Sequence, residues 1–290
     1  MDFSTHRSNE AVILVSCRDQ PGLVAHLTAS LHEAGCNILD AAQYTDELSS
    51  VFLQRIHFSC SDPSSNYSEL SKHLAPLVAD LEMDIKISWS DTIKRIAIFV
   101  SKEDHCLHDL LLLHRDGDLH CEIAMVISNH NELENIASGF GVPFHFIPVI
   151  KSCDETVERN QLELLDAENI DLIVLARYMR ILSTEFTKLY EGRIINIHHS
   201  FLPAFAGGKP YHQAYKKGVK LIGATAHYAT SELDEGPIIE QGIIRVSHKD
   251  CVSEMIRKGR DIERTVLARA VRWHLQDRII VHNNRAIVFS

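Results

Sequence analysis

The sequence predicts a two-domain α/β protein, in which a small βαββαβ domain precedes a larger, doubly wound and mostly parallel α/β domain. The 290 residues of the chain exceed the roughly 250 at which a single hydrophobic core tends to stop growing. The hydrophobic pattern also changes near Thr92. After that point, short apolar runs alternate with helical stretches, which is typical of strands covered by helices on both faces. The predicted domains are residues 8–90 and 93–290.

The small domain opens with a strand and a helix. Residues 11–17 read AVILVSC, an apolar and β-prone run, and RDQPG follows as a turn. Apolar residues then recur at helical spacing as far as Gly35, which is a typical helix stop. These residues are Leu23, Leu27, Leu31 and Ala34.

Two strands, a helix and a last strand complete this domain. CNILDAAQYT and SVFLQRIHFSC have the composition of strands, and Leu70, Leu74, Leu77, Val78 and Leu81 mark a second helix. Pro76 lies inside that helix and is expected to kink or restart it. DIKISWS alternates apolar and polar residues, so it predicts a half-buried strand.

The resulting order is the ferredoxin-like arrangement, and with RDQPGLVAHLTASLHEAGCNI it resembles an ACT domain. The resemblance implies an amino-acid effector such as glycine or methionine, with contacts around Asp19, Gly22 and Asn37. Sheets of this kind often pair edge to edge, so a homodimer or homotetramer is expected. The alternative is that RDQPG is a tight turn and the domain only a dimerisation surface.

The larger domain consists of βα units. Its apolar runs are KRIAIFVS, CEIAMVIS, FHFIPV, IDLIVLAR and RIINI. The helical stretches between them, such as HCLHDLLLLHRDG and DETVERNQLELLDAEN, are long enough for right-handed crossovers. A helix over ERTVLARAVRWHLQD and a hairpin at Asn283 and Asn284 are expected to close the domain. Ligands of such sheets bind beyond the carboxyl ends of the strands.

Composition narrows the function classes. The formal charge of −10 and the pI of about 6.0 argue against a nucleic-acid partner. No segment approaches the ~18 consecutive apolar residues of a membrane span, and MDFSTHRSNE does not resemble an export signal, so we expect a cytoplasmic protein without a membrane partner. The seven cysteines include no CxxC pair, which argues against a disulfide framework and a zinc finger.

A polar cluster follows the apolar run RIINI. Asn196 and His198 lie two residues apart, so they share one face of the predicted strand. An amide NH₂ can stabilise an oxyanion, and an imidazole can relay a proton, which are two functions needed to attack an acyl carbon. Some thirty residues later, Thr225 and His227 share a face of another strand, and Asp234 lies in the loop after it. If the two strands are parallel neighbours, Asp234 approaches Asn196 and His198.

Three segments, INIHHSFLPAF, GATAHYATSELDEGPII and LARYMRILS, resemble the hydrolase branch of the folate-dependent formyltransferase family. The resemblance implies hydrolysis of 10-formyltetrahydrofolate to tetrahydrofolate and formate, which feeds purine synthesis and balances folate pools, with no metal or other cofactor. It implies that Asn196, His198 and Asp234 are catalytic. His227 either supports the site as a donor or packs beneath the loop, and Thr225 and His199 are further candidates for a supporting role. The residues implied to contact folate are Arg180, Ile181, Leu182, Thr230, Ser231, Glu232 and Leu233.

The sequence also favours water over a phosphorylated acceptor. Formyltransferases of this kind carry a glycine-rich anion loop after the first strand, whereas FVSKEDHCLHDLL has no glycine. Glu103 and Asp104 are expected to repel a phosphate there, although Lys102 and His105 partly offset them. His199 stands where the resemblance places a proline in the transferases.

Three alternatives remain open at this point. The first is a metal-dependent amidohydrolase with His198, His199, His227 and Asp234 as ligands, although adjacent strand residues point to opposite faces. The second is a formyltransferase with an amine acceptor in place of water. The third is a regulator that binds folate or an amino acid without catalysis.

Overall fold

The structure is a computed structural model, and it describes residues 9–60, 63–149, 155–203 and 210–289. The chain divides into two compact units between Ile93 and Lys94, and the residues from Val288 onward are grouped with the first unit. The predicted domain boundaries, 8–90 and 93–290, stay a prediction at this level of detail. None of the helices in the described ranges has the length and apolar character that a bilayer crossing requires.

The first unit has the predicted ferredoxin-like order. Its elements are β1 (Glu10–Arg18), α1 (Leu23–Glu33), β2 (Cys36–Asp46), β3 (Val51–Cys60), α2 (Pro63–Asp80) and β4 (Asp84–Trp89). They form a four-stranded sheet in the order β2-β3-β1-β4, in which every neighbouring pair is antiparallel. Leu23, Leu27 and Leu31 are buried against this sheet, as their helical spacing predicts.

The proline in α2 does not divide the helix. Pro76 was expected to kink or restart this helix, yet α2 is one continuous helix from Pro63 to Asp80. Pro76 lies near the carboxyl end of the helix, where a missing N–H removes only one backbone hydrogen bond. The expectation of a restart was therefore wrong.

The second unit is built on a seven-stranded sheet in the order β11-β10-β9-β8-β5-β6-β7. Its strands are β5 (Arg95–Val100), β6 (Glu122–Ser128), β7 (Phe144–Phe146), β8 (Leu172–Leu175), β9 (Ile194–His198), β10 (Leu221–Tyr228) and β11 (Ile238–Arg245). Its helices are α3 (His105–Arg115), α4 (Glu134–Gly139), α5 (Glu155–Ala167), α6 (Thr184–Leu189), α7 (Pro210–Lys217) and α8 (Val252–Leu275). The last two strands, β12 (Ile279–His282) and β13 (Arg285–Val288), form the expected hairpin at Asn283 and Asn284.

The sheet is parallel from β7 to β9 and antiparallel from β9 to β11. The interpretation of β9 and β10 as parallel neighbours was therefore wrong: they are neighbours, but they run in opposite directions. Apolar periodicity shows which residues face a core and not which way a strand runs. The 24-residue helix α8, longer than expected, packs on β9, β10 and β11.

Candidate active site

A cavity of about 270 Å³ opens at the carboxyl ends of β8 and β9. We call it the front cavity. Asn196, His198 and Asp234 line it together, and His199 also reaches it. All seven residues expected to contact folate also line it: Arg180, Ile181, Leu182, Thr230, Ser231, Glu232 and Leu233. The sequence motifs therefore meet in one place, while Thr225 and His227 lie behind the cavity wall.

Strand pairing sets the positions of the polar groups. Asn196 is the cross-strand partner of His227, and His198 is the partner of Thr225, across the antiparallel pair β9 and β10. Cross-strand partners have neighbouring side chains on one face of a sheet. The reversed direction of β10 thus brings His227 beside Asn196.

The loop after β10 carries Asp234 back over the strand ends. Asp234 has a left-handed backbone with φ of 59°, a conformation that Asp and Asn adopt more readily than most residues. Gly236 packs so closely on the preceding strand that a Cβ there would lie 1.8 Å from the carbonyl oxygen of Tyr228. These two positions fold the loop inward, so Asp234 reaches His198 even though the strands are antiparallel.

His198 is hydrogen-bonded through one ring nitrogen and open at the other. Its Nδ1 lies 3.2 Å from Oδ2 of Asp234, so Nδ1–H donates to the carboxylate. Nε2 is buried and has no hydrogen-bond partner in the described part of the chain. A buried polar atom without a partner is costly, and here it lines a cavity, where a bound molecule can satisfy it.

His227 orients Asn196. The Nδ1–H of His227 donates to the carbonyl oxygen of Tyr228 at 2.9 Å, which leaves Nε2 to accept from Nδ2 of Asn196 at 3.2 Å. Nε2 also lies 3.6 Å from Oδ1 of Asp234, beyond hydrogen-bond distance. The amide NH₂ of Asn196 is thus held on the side of the Asp234 carboxylate.

Asp234 is held in its ionised form. The hydrogen bond from His198 keeps the pKa of Asp234 well below its ordinary value despite partial burial. His199 differs, because burial and the charge of Arg177 lower its pKa to about 4. His199 is therefore neutral at physiological pH.

Thr225 fixes the chain beyond β9. Its Oγ1 donates to the carbonyl oxygen of Ser200 at 3.0 Å and accepts from the backbone N–H of Leu202 at 3.1 Å and from Gln241 at 3.0 Å. Thr225 is fully buried, so it supports the turn after His198 without reaching the cavity.

The mouth of the front cavity is apolar and exposed. Met179, Ile181 and Leu233 are 57%, 59% and 62% exposed, which is unusual for large apolar side chains. Thr230 closes the loop with a 3.1 Å hydrogen bond to the carbonyl oxygen of Glu232. The arrangement suits a flat, largely apolar ligand whose reacting end meets Asn196, His198 and Asp234.

Three residues that line or support the cavity were not predicted from the sequence: Met179, Ser101 and Asn129. For Met179, the available signal was its place in the motif LARYMRILS. Its backbone N–H donates to Oγ of Ser101, which in turn donates to Asn129. Ser101 and Asn129 follow two other strands, and sequence offers no sign that they support the cavity.

The proposed metal ligands do not form a ligand set. Within the described ranges, His105, Cys106 and Glu263 have ligand atoms within 4.8 Å of one another, whereas His198, His199, His227 and Asp234 form no such group. Nε2 of His105 hydrogen-bonds directly to Glu263 at 2.8 Å. Two of the three residues in that group, His105 and Glu263, are therefore already joined by a hydrogen bond.

Comparison with known proteins agrees with the geometry. The family model described as formyl transferase matches residues 94–271, and the ACT domain model matches residues 11–71. The chain is 51% identical to formyltetrahydrofolate deformylase of Synechocystis sp., over 97% of this chain and 98% of that protein, and 50% identical to the Bacillus subtilis protein of the same name, over 100% and 97%.

Among solved structures, some match nearly the whole chain and others match about two thirds of it. A crystal structure of a formyltetrahydrofolate deformylase from Pseudomonas syringae pv. tomato matches 99% of this chain and 96% of its own, with 40% identity and a TM-score of 0.94. Glycinamide ribonucleotide transformylase 1 from Symbiobacterium toebii matches 70% of this chain and 97% of its own, with 30% identity and a TM-score of 0.65.

Proposed function

Because the chain belongs to the formyltetrahydrofolate deformylase family, whose members hydrolyse 10-formyltetrahydrofolate to tetrahydrofolate and formate, we propose that Asn196, His198 and Asp234 carry out this hydrolysis. The observation that carries the proposal is that these three side chains line one end of the front cavity. The pterin ring lies against the apolar mouth, and the loop from Thr230 to Leu233 recognises it through backbone groups.

The proposed mechanism assigns one function to each group. Water held at Nε2 of His198, the buried nitrogen without a partner, attacks the formyl carbon and gives its proton to that nitrogen. Asn196 donates to the oxyanion of the tetrahedral intermediate. Asp234 orients His198 and stabilises its cation across the 3.2 Å hydrogen bond. The His198 proton then passes to N10, the C–N bond breaks, and tetrahydrofolate and formic acid are left; the acid loses its proton to solvent and becomes formate.

We propose that these proton transfers need neither a metal nor a redox cofactor. The test follows formate and tetrahydrofolate from 10-formyltetrahydrofolate after treatment with EDTA, with and without glycinamide ribonucleotide. We expect the two products to appear in step and to be indifferent to chelator and acceptor. Tetrahydrofolate without formate would instead indicate transfer to an acceptor, and activity lost with EDTA and restored by a metal ion would reject the metal-free mechanism.

The preference for water has a weaker electrostatic basis than the sequence suggested. Glu103 is ion-paired with Arg260, and Lys102 lies 3.5 Å from Glu132, so the charges of this loop are partly matched. A strong repulsion of phosphate by Glu103 is therefore not expected. The proposed exclusion of a phosphorylated acceptor rests on the glycine-free loop.

The first unit is proposed to bind an amino-acid effector, glycine or methionine. Asp19, Gly22 and Asn37 are all exposed, and Gly22 has φ of 92° at the start of α1. An exposed set of this kind suits a site that a second copy of the chain completes, so we propose a homodimer or homotetramer. β2 is an edge strand of its sheet, and an edge strand can pair with another chain through its backbone groups.

Replacing Asn37 by alanine should abolish effector binding, because the amide is the neutral polar group among the three proposed contacts. Calorimetric titration with glycine and with methionine measures this directly. Replacing Asn131, an exposed residue of the second unit, is the control and should leave the titration unchanged. Equal heats for wild type and Asn37→Ala would move the effector site elsewhere.

We also propose a cytoplasmic location and a role in supplying formate to purine synthesis. The six cysteines in the described ranges are free thiols, five of them buried. Free thiols persist in reducing compartments.

A further inference from the structure

A second cavity of about 240 Å³ shares lining residues with the front cavity. We call it the back cavity. Its walls include His105, Arg177, Tyr211, His212 and Glu263. Arg177 and His199 line both cavities. These two are the lining residues that the cavities share among the described ones.

Both oxygens of the Glu263 carboxylate, in the wall of the back cavity, accept a hydrogen bond. Glu263 is 1% exposed, and it accepts hydrogen bonds from Nε2 of His105 at 2.8 Å and from the hydroxyl of Tyr211 at 2.6 Å. Burial alone would raise the pKa of Glu263, but the His105 hydrogen bond and the charge of Arg177 outweigh it and lower the pKa to about 2. Tyr211 can approach because position 259 is glycine, where a Cβ would lie 2.0 Å from the hydroxyl oxygen.

The guanidinium N–H groups of Arg177, in contrast, do not all have hydrogen-bond acceptors among the described residues. Its Nε lies 3.5 Å from Glu263, which is an ion pair, yet Nε and Nη1 are both buried without a hydrogen-bond acceptor among the described residues. Unmatched buried donors are costly, so the site is short of an acceptor.

The missing acceptor has a definite chemistry. A guanidinium presents its N–H groups as a planar fork that fits the two oxygens of a carboxylate. The other cation of the cavity wall, Arg260, is already paired with Glu103. A small carboxylate is also what the neighbouring catalytic residues release.

We propose that the back cavity binds a small carboxylate, the formate product, through Arg177, and that formate leaves by this route while tetrahydrofolate still fills the front cavity. The proposal rests on the proposed function for its choice of ligand. Formate has three heavy atoms, so it can pass between the cavities with a small movement of Arg177 or His199. No bond is made or broken in this step.

The test is a titration of the resting protein with ¹³C-labelled sodium formate, followed by NMR. We expect saturable binding to the wild type and at least about tenfold weaker binding to Arg177→Met, because a charge-assisted pair of hydrogen bonds is lost. Arg177→Lys keeps the charge but not the fork and should lie between them. Arg193→Met is the control, since that arginine lies over the ring of Tyr190. Equal formate affinity in wild type and Arg177→Met, or no saturable binding to wild type, overturns the proposal.

A second variant covers the case in which Arg177→Met fails to fold. His212 is exposed at the edge of the back cavity, so His212→Trp narrows its opening without removing a buried charge. We expect weaker formate binding and a circular dichroism spectrum like that of the wild type. Unchanged formate affinity in this folded variant counts against the back cavity.

Kinetics separate this proposal from the proposed function. In the wild type, added formate should inhibit without competing with 10-formyltetrahydrofolate, because the two bind in different cavities. Purely competitive inhibition would place formate in the front cavity and overturn the proposal while leaving the hydrolysis intact. Formate binding by a protein that releases none from 10-formyltetrahydrofolate would instead reject the proposed function.

Discussion

Replacing Asp234 by asparagine lowers the rate of formate release by roughly a thousandfold, within the range of general acid–base catalysis. Asparagine keeps the shape of the side chain and tolerates the left-handed backbone at this position, where φ is 59°. The loop is therefore preserved, while the negative charge that stabilises protonated His198 is lost. The measurement is the single-turnover rate with saturating 10-formyltetrahydrofolate.

Glu235→Gln is the matched control, because Glu235 is the exposed neighbour of Asp234 in the same loop. It removes one negative charge and should retain nearly the full rate. Tetrahydrofolate binding should be unchanged in both variants. If Asp234→Asn turned over at close to the wild-type rate, Asp234 could not be the group that orients His198.

The second large effect is expected for Asn196→Ala, which should slow turnover by about a hundredfold or more, because losing one oxyanion donor typically costs ~2.7 to 4 kcal/mol. KM should change little, since the hydrogen bond to the formyl oxygen forms mainly in the transition state. Steady-state formate release gives both constants.

His227→Gln separates positioning from contact with substrate. Nε2 of His227 accepts from Asn196 at 3.2 Å, and a glutamine oxygen can accept the same hydrogen bond. This variant should lose less activity than Asn196→Ala. A loss as large as that of Asn196→Ala would mean that His227 does more than orient the amide, and near-normal turnover in Asn196→Ala would reject the oxyanion role.

Much of this fold was predictable from hydrophobic spacing. The βαββαβ order of the first unit, the βα units of the second and the shared face of Asn196 and His198 all follow from periods of two and 3.6 residues. The direction of β10 was not predictable, because a strand shows the same alternation whichever way it runs. The direction of β10 places His227 beside Asn196, whereas the proximity of Asp234 to His198 depends on the inward fold of its loop at Gly236.

The back cavity illustrates a different limit. Its residues come from α3, the segment after β8, α7 and α8, so no local motif contains them. Arg177 lies inside a motif that the sequence identified, yet its unmatched donors become visible only when Glu263 is placed beside it. Long-range packing of this kind has no local sequence signal.

The antiparallel end of the sheet also bears on the order in which the candidate site is assembled during synthesis. His227 pairs with Asn196 on one side and with Ile238 on the other, so β10 is held in place by a strand that leaves the ribosome after it. A nascent chain that has emerged only as far as His198 contains LARYMRILS but has neither His227 nor Asp234. The candidate site is therefore complete only after the loop that follows β10 has left the ribosome.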